Sequence, residues 1–416
     1  MSGHLLHASA VPKARRGVKT GCVTCRKRKI KCDEAKPACQ KCTASGRTCD
    51  GYDSMFRFVG VAAPSVSPAG TSAVQESREN SVSARDIERL NKDFSTKTLF
   101  HSVSLNCAEE AQQILQTSLT DPNVRQAVAS LRKLRQSIET SQDVTAGDAP
   151  SPGYDVGIRL YCTALGGLAS KLSSSGIEQS EIKSALLCCE MFISIEQSRG
   201  NFSAMAQHIM GGLRIMHEQR ARPGFGDQVA GEQSFIPAQW PVLPLLDIFV
   251  IKLFAAPCKY ADLVAAGVSV KVTPSDVPAT QHARKLVPNM KAQLTKIAES
   301  VISFLNQVSQ LQSAAAAPEL LLEKRNILAS LVEWATATNL IEKETQPIGN
   351  ELLSLQFAQL LYGILQIIVL SALNSSAQLY EQLQDEINKV QRMAALVTAG
   401  VAEFRTRNDD TIKARG

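Results

Sequence analysis

Six cysteines follow the order Cys22-x2-Cys25-x6-Cys32-x6-Cys39-x2-Cys42-x6-Cys49. The last three lie 17 positions beyond the first three, so the motif is an internal repeat. Each half supplies a close pair of thiols and a third thiol one short helix later, the arrangement that a soft tetrahedral ion such as zinc takes from thiolate ligands. Two separate four-ligand zinc sites need eight metal–sulfur bonds, and six thiolates provide them only if two cysteines bridge both ions. A disulfide framework suits a short secreted chain, whereas here Leu5 and Leu6 stand isolated between His4, His7 and Ser9, with no secretory pattern. A redox Cys-x-x-Cys belongs in a strand–helix context that neither half has. A catalytic zinc keeps an open position and mixes in His or carboxylate, so an all-cysteine set reads as a closed, structural centre.

Charge says what such a centre is for. Residues 1–49 carry twelve Lys and Arg against Asp33 and Glu34, a formal +10, while the remainder of the chain is −4, which together give the +6 of the whole. With six thiolates and two zinc ions counted, the module keeps about +8. All of the positive excess therefore lies beside the cysteines, the footprint of a polyanion binder. The halves differ: five of the six residues between Cys25 and Cys32 are basic, but only Arg47 is between Cys42 and Cys49. The first half is expected to face nucleic acid. Arg26, Lys27, Arg28, Lys29, Ile30 and Lys31 lack Gly and Pro and favour a short helix that depends on the metal to persist, with Ile30 expected to pack against the cluster. The same run, with Arg15, Arg16 and Lys19, also reads as a nuclear import signal.

These spacings and the Arg26–Lys31 run resemble the Zn2Cys6 binuclear-cluster module of fungal transcription factors, over about residues 20–50. The resemblance implies two zinc ions held by Cys22, Cys25, Cys32, Cys39, Cys42 and Cys49, with Cys22 and Cys39 bridging. It implies that Lys29 reads guanine-rich base edges in the major groove while Arg26, Lys27, Arg28 and Lys31 hold phosphates. Lys to guanine O6 and N7 is a common direct readout, so the chemistry agrees. Pro37 stands where the family also carries a proline, and its fixed φ is expected to help reverse the chain between halves. The implied partners are double-stranded DNA, a second copy of the chain, and the transcription machinery or co-regulators, in the nucleus and without a membrane.

The domain plan is a basic tail at 1–19, the zinc module at 20–52, a flexible linker at 53–97 and an all-α body at 98–416. Pro64 and Pro68 among Ser, Ala and Gly mark the linker. Ile87, Leu90 and Phe94 start a zipper-like seam that Lys97 and His101 end, and a single heptad does not make a coiled coil, which needs about three or more. The body's apolar periodicity predicts helices at 109–119, 124–138, 179–196, 202–220, 244–255, 283–312, 319–343, 350–373 and 376–405, with strand-type alternation nearly absent and the short Val268–Val272 its best candidate. The stretches 350–373 and 376–405 are expected to supply a dimer surface. The apolar run Leu360–Leu373 falls short of the about 20 residues of a membrane span and reads as a core or interface helix.

Asp121–Val128, Ala185–Leu187 through Phe192, and Asn201–His208 with Gly211, Gly212 and Leu213 resemble, more weakly, the regulatory middle domain of fungal transcription factors. That likeness brings no catalytic residue. His208 and His217 lie nine apart on one helix and read as packing residues, and Cys107, Cys162, Cys188, Cys189 and Cys258 as small buried hydrophobes. The body contains no Gly-rich phosphate loop, His-Glu-x-x-His or Gly-x-Ser-x-Gly. The reading is a sequence-specific transcription regulator of RNA polymerase II genes acting on CGG-like half-sites. Its alternative is an enzyme or scaffold that carries a structural zinc nucleic-acid module.

Overall fold

The computed structural model describes residues 24–25, 28–33, 39–46, 82–94, 107–141, 152–172, 178–226, 234–240, 243–255 and 279–413. The chain separates into two units, residues 1–75 and 76–416. The first holds a helical turn at Thr24–Cys25 and the short helix α1, Gln40–Thr43. Its buried cluster consists of Cys25, Cys39 and Cys42, with Cys32 against them.

The second unit is helical. Its elements are α2 (Ala84–Phe94), α3 (Ala108–Ser118), α4 (Pro122–Ser141), α5 (Pro152–Leu172), α6 (Gln179–Arg199), α7 (Phe202–Glu218), α8 (Leu246–Ala255), α9 (Ala279–Ser309), α10 (Ala317–Thr345), α11 (Gly349–Ser371), α12 (Leu379–Gln382) and α13 (Gln384–Lys413). Three two-residue strands, β1 (Gly224–Phe225), β2 (Phe235–Ile236) and β3 (Leu373–Asn374), pair in the order β2-β1-β3, antiparallel and then parallel. The strand expected at 268–272, and Pro37, lie outside the described residues.

Two helices run through the middle of this body. Every residue of α6 from Ser184 to Gln197 is buried. In α11, Leu353, Phe357, Leu360, Leu361, Ile364, Leu365 and Ile368 are all inside. Although α11 is long and apolar enough to cross a membrane by length and composition, its apolar faces are taken up by α9, α10 and α13. This corrects the expectation that 350–373 offers a dimer surface, because a helix apolar on all sides is a core helix. Its C-terminal end is closed by Lys324, whose Nζ donates to Leu370 O at 3.0 Å and Ala372 O at 2.7 Å. Burial lowers the Lys324 amine to about 8, and these carbonyls, at the negative end of the helix, are what hold a cation there.

Two further expectations change. Helix α2 falls inside the span read as linker, yet Leu90 and Phe94 are 0% and 1% exposed, and the Phe94 ring meets Phe249 edge-on at 5.4 Å. The abortive zipper seam is thus a core-facing stripe. Helix α5 has no counterpart among the expected elements; it contains glycines, which lower helix propensity. Two of them serve close packing: a Cβ at Gly157 would sit 2.7 Å from Leu134 Cγ on α4, and one at Gly167 would collide with Asn123.

Glu190 lies in the centre of α6 at 1% exposure, and its Oε2 has no hydrogen-bond partner among the described residues. Desolvation pushes its carboxyl well above the usual 4.5, Glu110 adds to the rise, and Lys252, paired with Glu110 at 2.7 Å, opposes it. The folded state therefore binds this proton more tightly than the unfolded state. The stabilisation is fully present below pH 4.5 and is lost as pH rises through the folded value. Glu190→Gln is expected to stabilise the body near neutral pH by about 1–2 kcal/mol and to flatten the fall in its Tm from pH 5 to 7. A variant whose Tm tracks that of the parent at both pH values would show that Glu190 is ionised without cost.

Candidate metal centre and nucleic-acid interface

The cysteines are brought together by two short helical segments. Cys25 closes the turn that begins at Thr24, and Cys39 is the N-cap of α1, which carries Cys42 one turn on. Cys25 Sγ lies 3.6 Å from Cys39 Sγ and 3.9 Å from Cys42 Sγ. The sulfurs of Cys25, Cys32 and Cys39 all fall within 4.8 Å of one another. Tetrahedral zinc with bonds of 2.3 Å sets its thiolates about 3.8 Å apart, so the spacing suits the metal. It is far too long for a disulfide bond of about 2.05 Å. Cys22 and Cys49 lie outside the described residues.

Hydrogen bonds steady these ligands. Cys42 N–H donates to Cys39 Sγ at 3.3 Å, which orients the sulfur. The Asp33 carboxylate accepts from Gln40 N–H at 2.9 Å and Lys41 N–H at 3.1 Å, satisfying amides that the first turn of α1 leaves without partners. Because Asp33 follows Cys32 directly, this bond fixes the first half's third cysteine against the helix that presents Cys39 and Cys42. Asp33→Ala is expected to weaken zinc binding about 10–100-fold, as losses of such supporting groups do. Competition with a chromophoric chelator checks this, and unchanged affinity would leave Asp33 a surface cap only.

The basic segment sits on the outside. Arg28, Lys29 and Lys31 are exposed, whereas Arg26 and Lys27 lie outside the described residues. The helical segment is shorter than expected: Arg28 N–H bonds Thr24 O at 3.1 Å, Ile30 N–H bonds Cys25 O at 3.1 Å, and Lys29 turns left-handed at φ 56°. Gly46, its counterpart 17 residues on, has φ 64°. Ile30 is 39% exposed instead of packing on the cluster, because the turn at Lys29 ends the helix before Ile30 can face inward. Asp33, and Ser45, whose hydroxyl accepts from Arg28 Nη1 at 3.0 Å, play parts that sequence reasoning missed. The repeat carried a signal for the first, since Asp50 follows Cys49 as Asp33 follows Cys32.

The expected packing residues of the body bind to their neighbours. His208 Nε2 is 2.8 Å from Tyr161 Oη, beside Phe192, and burial lowers the imidazole to about 4. His217 Nε2 lies 2.8 Å from Ser376 O. Burial pushes the Cys107 and Cys189 thiols up to about 12, and Cys188 higher, which leaves them unreactive at neutral pH. Cys162 is half-buried, and Cys258 is outside the described residues. Asp121 and Asn201, from the weaker resemblance, are helix caps: Asp121 Oδ1 accepts from Asn123 N–H at 2.7 Å, and Asn201 Oδ1 from Ala204 N–H at 3.2 Å. A cavity of about 50 Å³ near His217, Arg220, Arg222 and Asp247 has its polar groups satisfied by Gln239, by Ser376 and by the Arg222–Asp247 pair at 2.7 Å.

A cysteine-built zinc centre carrying an exposed basic turn defines a DNA-binding class of protein, and comparison agrees. Residues 20–57 match the fungal Zn(2)-Cys(6) binuclear cluster domain. The transcription regulator lscL of Purpureocillium lilacinum is 46% identical over 397 residues, covering 91% of this chain and 93% of that protein. The aspercryptin biosynthesis cluster-specific transcription regulator atnN of Emericella nidulans is 24% identical over 219 residues, 49% of this chain and 35% of its own. Arginine metabolism regulation protein II of Saccharomyces cerevisiae is 41% identical over 83 residues, 18% of this chain and 9% of its own. No solved structure matches the chain. The chain belongs to the fungal Zn2Cys6 transcription regulators: it is a zinc-binding, DNA-binding transcription factor with a helical body.

Proposed function

We propose that residues 20–52 hold two zinc ions through Cys22, Cys25, Cys32, Cys39, Cys42 and Cys49, with Cys22 and Cys39 bridging, and that the basic turn they carry reads CGG-like half-sites in the nucleus, at genes transcribed by RNA polymerase II. The observation that carries this is the convergence of the Cys25, Cys32 and Cys39 sulfurs within 4.8 Å, directly tied by the Ile30–Cys25 backbone bond to the exposed turn at Arg28–Lys31. Lys29 donates to guanine O6 and N7; Arg26, Lys27 and Lys31 neutralise phosphates. Residues 1–19 form a basic tail, and the body regulates without catalysing. One zinc module covers a short half-site, so a second copy of the chain, joined through exposed parts of the body, supplies the rest of the specificity, while co-regulators dock on what remains.

The test uses the full chain with labelled duplexes that hold no CGG, one CGG or two CGG half-sites, at several salt concentrations, and with zinc measured by elemental analysis. Two zinc ions per chain, preference for CGG of at least about 10³-fold over scrambled DNA, and tighter binding to paired sites are expected. Equal affinity for CGG and scrambled duplexes would overturn the half-site reading.

A further inference from the structure

Arg28 and Ser45 occupy the same place in the two halves of the repeat, 17 residues apart, and their side chains meet: Arg28 Nη1 donates to Ser45 Oγ at 3.0 Å. Ser45 is itself anchored, its hydroxyl 2.8 Å from Lys41 O and 3.0 Å from Cys42 O, the carbonyls at the end of α1. The acceptor for Arg28 is thus fixed to the segment that presents Cys42.

The next pair in the repeat is Lys29 and Gly46, both left-handed. Glycine takes that conformation freely, whereas a lysine is held there against its own preference. Such a residue persists where its surroundings determine it, and it is found where geometry serves function. Two backbone bonds, from Arg28 to Thr24 and from Ile30 to Cys25, bracket Lys29 within the first half. The Arg28 guanidinium adds the bond that ties the same turn to the second half. Ser45 stands where the repeat would place a basic residue, so this one position of the charge asymmetry supplies the acceptor that Arg28 uses.

We propose that Arg28 is a positioning residue and not a phosphate contact: held by Ser45 across the internal repeat, it fixes the left-handed turn that presents Lys29 to a base edge. This rests on the reading of Lys29 as the base-reading residue. Freed from Ser45, the turn samples more orientations, and the bond from Lys29 to guanine loses its alignment, while attraction to phosphates is unaffected.

The experiment compares the full-length parent with Ser45→Ala, Ser45→Thr, Arg28→Ala and the double variant Arg28→Ala/Ser45→Ala. Affinity is measured on a CGG duplex and on a single-base mismatch, with the salt slope and zinc content. Amide hydrogen exchange at Ile30 is followed without DNA. Ser45→Ala is expected to lose about 5–10-fold on the CGG duplex and little on the mismatch, with zinc content and salt slope unchanged. Ser45→Thr keeps the hydroxyl and the parental discrimination. The double variant binds no worse than Arg28→Ala alone, because both remove one bond. Ile30 exchanges faster in Ser45→Ala and in Arg28→Ala. The proposal is overturned if Arg28→Ala weakens both duplexes equally and lowers the salt slope by about one, the signature of a lost phosphate contact. It is also overturned if Ile30 exchange is the same in all variants, a result that stands whether or not the parent discriminates between duplexes. A parent that binds both duplexes equally, with Ile30 exchange still accelerated in the variants, would instead defeat the half-site reading and leave the brace intact.

Discussion

Chelating zinc from the full chain abolishes DNA binding and dissolves the N-terminal module while the helical body keeps nearly all of its far-ultraviolet signal. The buried side chains described in the module are cysteines, Cys25, Cys39 and Cys42 with Cys32 beside them. Without the ion this cluster offers no apolar core, and a segment of this size does not fold on hydrophobic burial. Structural zinc contributes about 10–16 kcal/mol in small cysteine-ligated modules, so its removal exceeds any stability the module has left. The body has a core of its own, extending from Leu90 to Phe404, and is expected to stand without the metal. Within the ligand set, Cys22→Ala and Cys39→Ala are expected to do more damage than Cys49→Ala, since in the proposed centre their thiolates bond both ions. Cys39 carries a further role as the N-cap of α1, accepting from Cys42 N–H. Zinc content, circular dichroism and DNA binding measured on the same samples decide the matter. One zinc per chain with an intact module would refute the binuclear centre, and loss of the body's helicity on chelation would refute its independence.

The cysteines were legible because metal-ligand spacing is a local pattern: two short segments repeated at 17 residues bring Cys25 within 3.6 Å of Cys39. Helix periodicity was legible for the same reason, and α6, α7 and α10 start or end within a few residues of where the apolar pattern sets them. Tertiary roles were not. Asp33 acts on amides seven and eight residues away, Ser45 on a side chain 17 away, and neither residue type announces a partner. A single apolar heptad such as Ile87–Leu90–Phe94 reads equally well as a failed zipper and as a helix docked on a core; only the Phe249 ring decides. Gly157 and Gly167 of α5 make room for Leu134 and Asn123 of α4, a need that no local pattern displays. The isolated carboxyl of Glu190 is invisible to periodicity, because a charged residue on a helix is read as its exposed face.

Replacing Lys29 separates reading from holding, and its backbone makes the experiment sharper than an ordinary alanine substitution. Lys29→Ala removes the amino group and is expected to cost about 1–3 kcal/mol on a CGG duplex, a factor of about 5 to 150, with much less lost on a mismatch. Lys27→Ala in the same segment is expected to weaken both duplexes alike and to lower the salt slope by about one. Alanine, however, stays left-handed at φ 56° at the same conformational cost as lysine, so a loss in Lys29→Ala alone does not exclude a shifted turn. Lys29→Gly does: glycine adopts this turn freely, as Gly46 does at φ 64° in the other half, and is expected to leave the module at least as stable as the parent. If the amino group reads the base, Lys29→Gly discriminates as poorly as Lys29→Ala despite its relaxed turn. If Lys29→Gly instead regains the parent's preference for CGG, the residue matters for the shape of the turn, and base reading passes to another side chain of the Arg26–Lys31 segment. Titration of both variants against matched and mismatched duplexes, with thermal unfolding of the zinc-loaded protein, gives that answer directly.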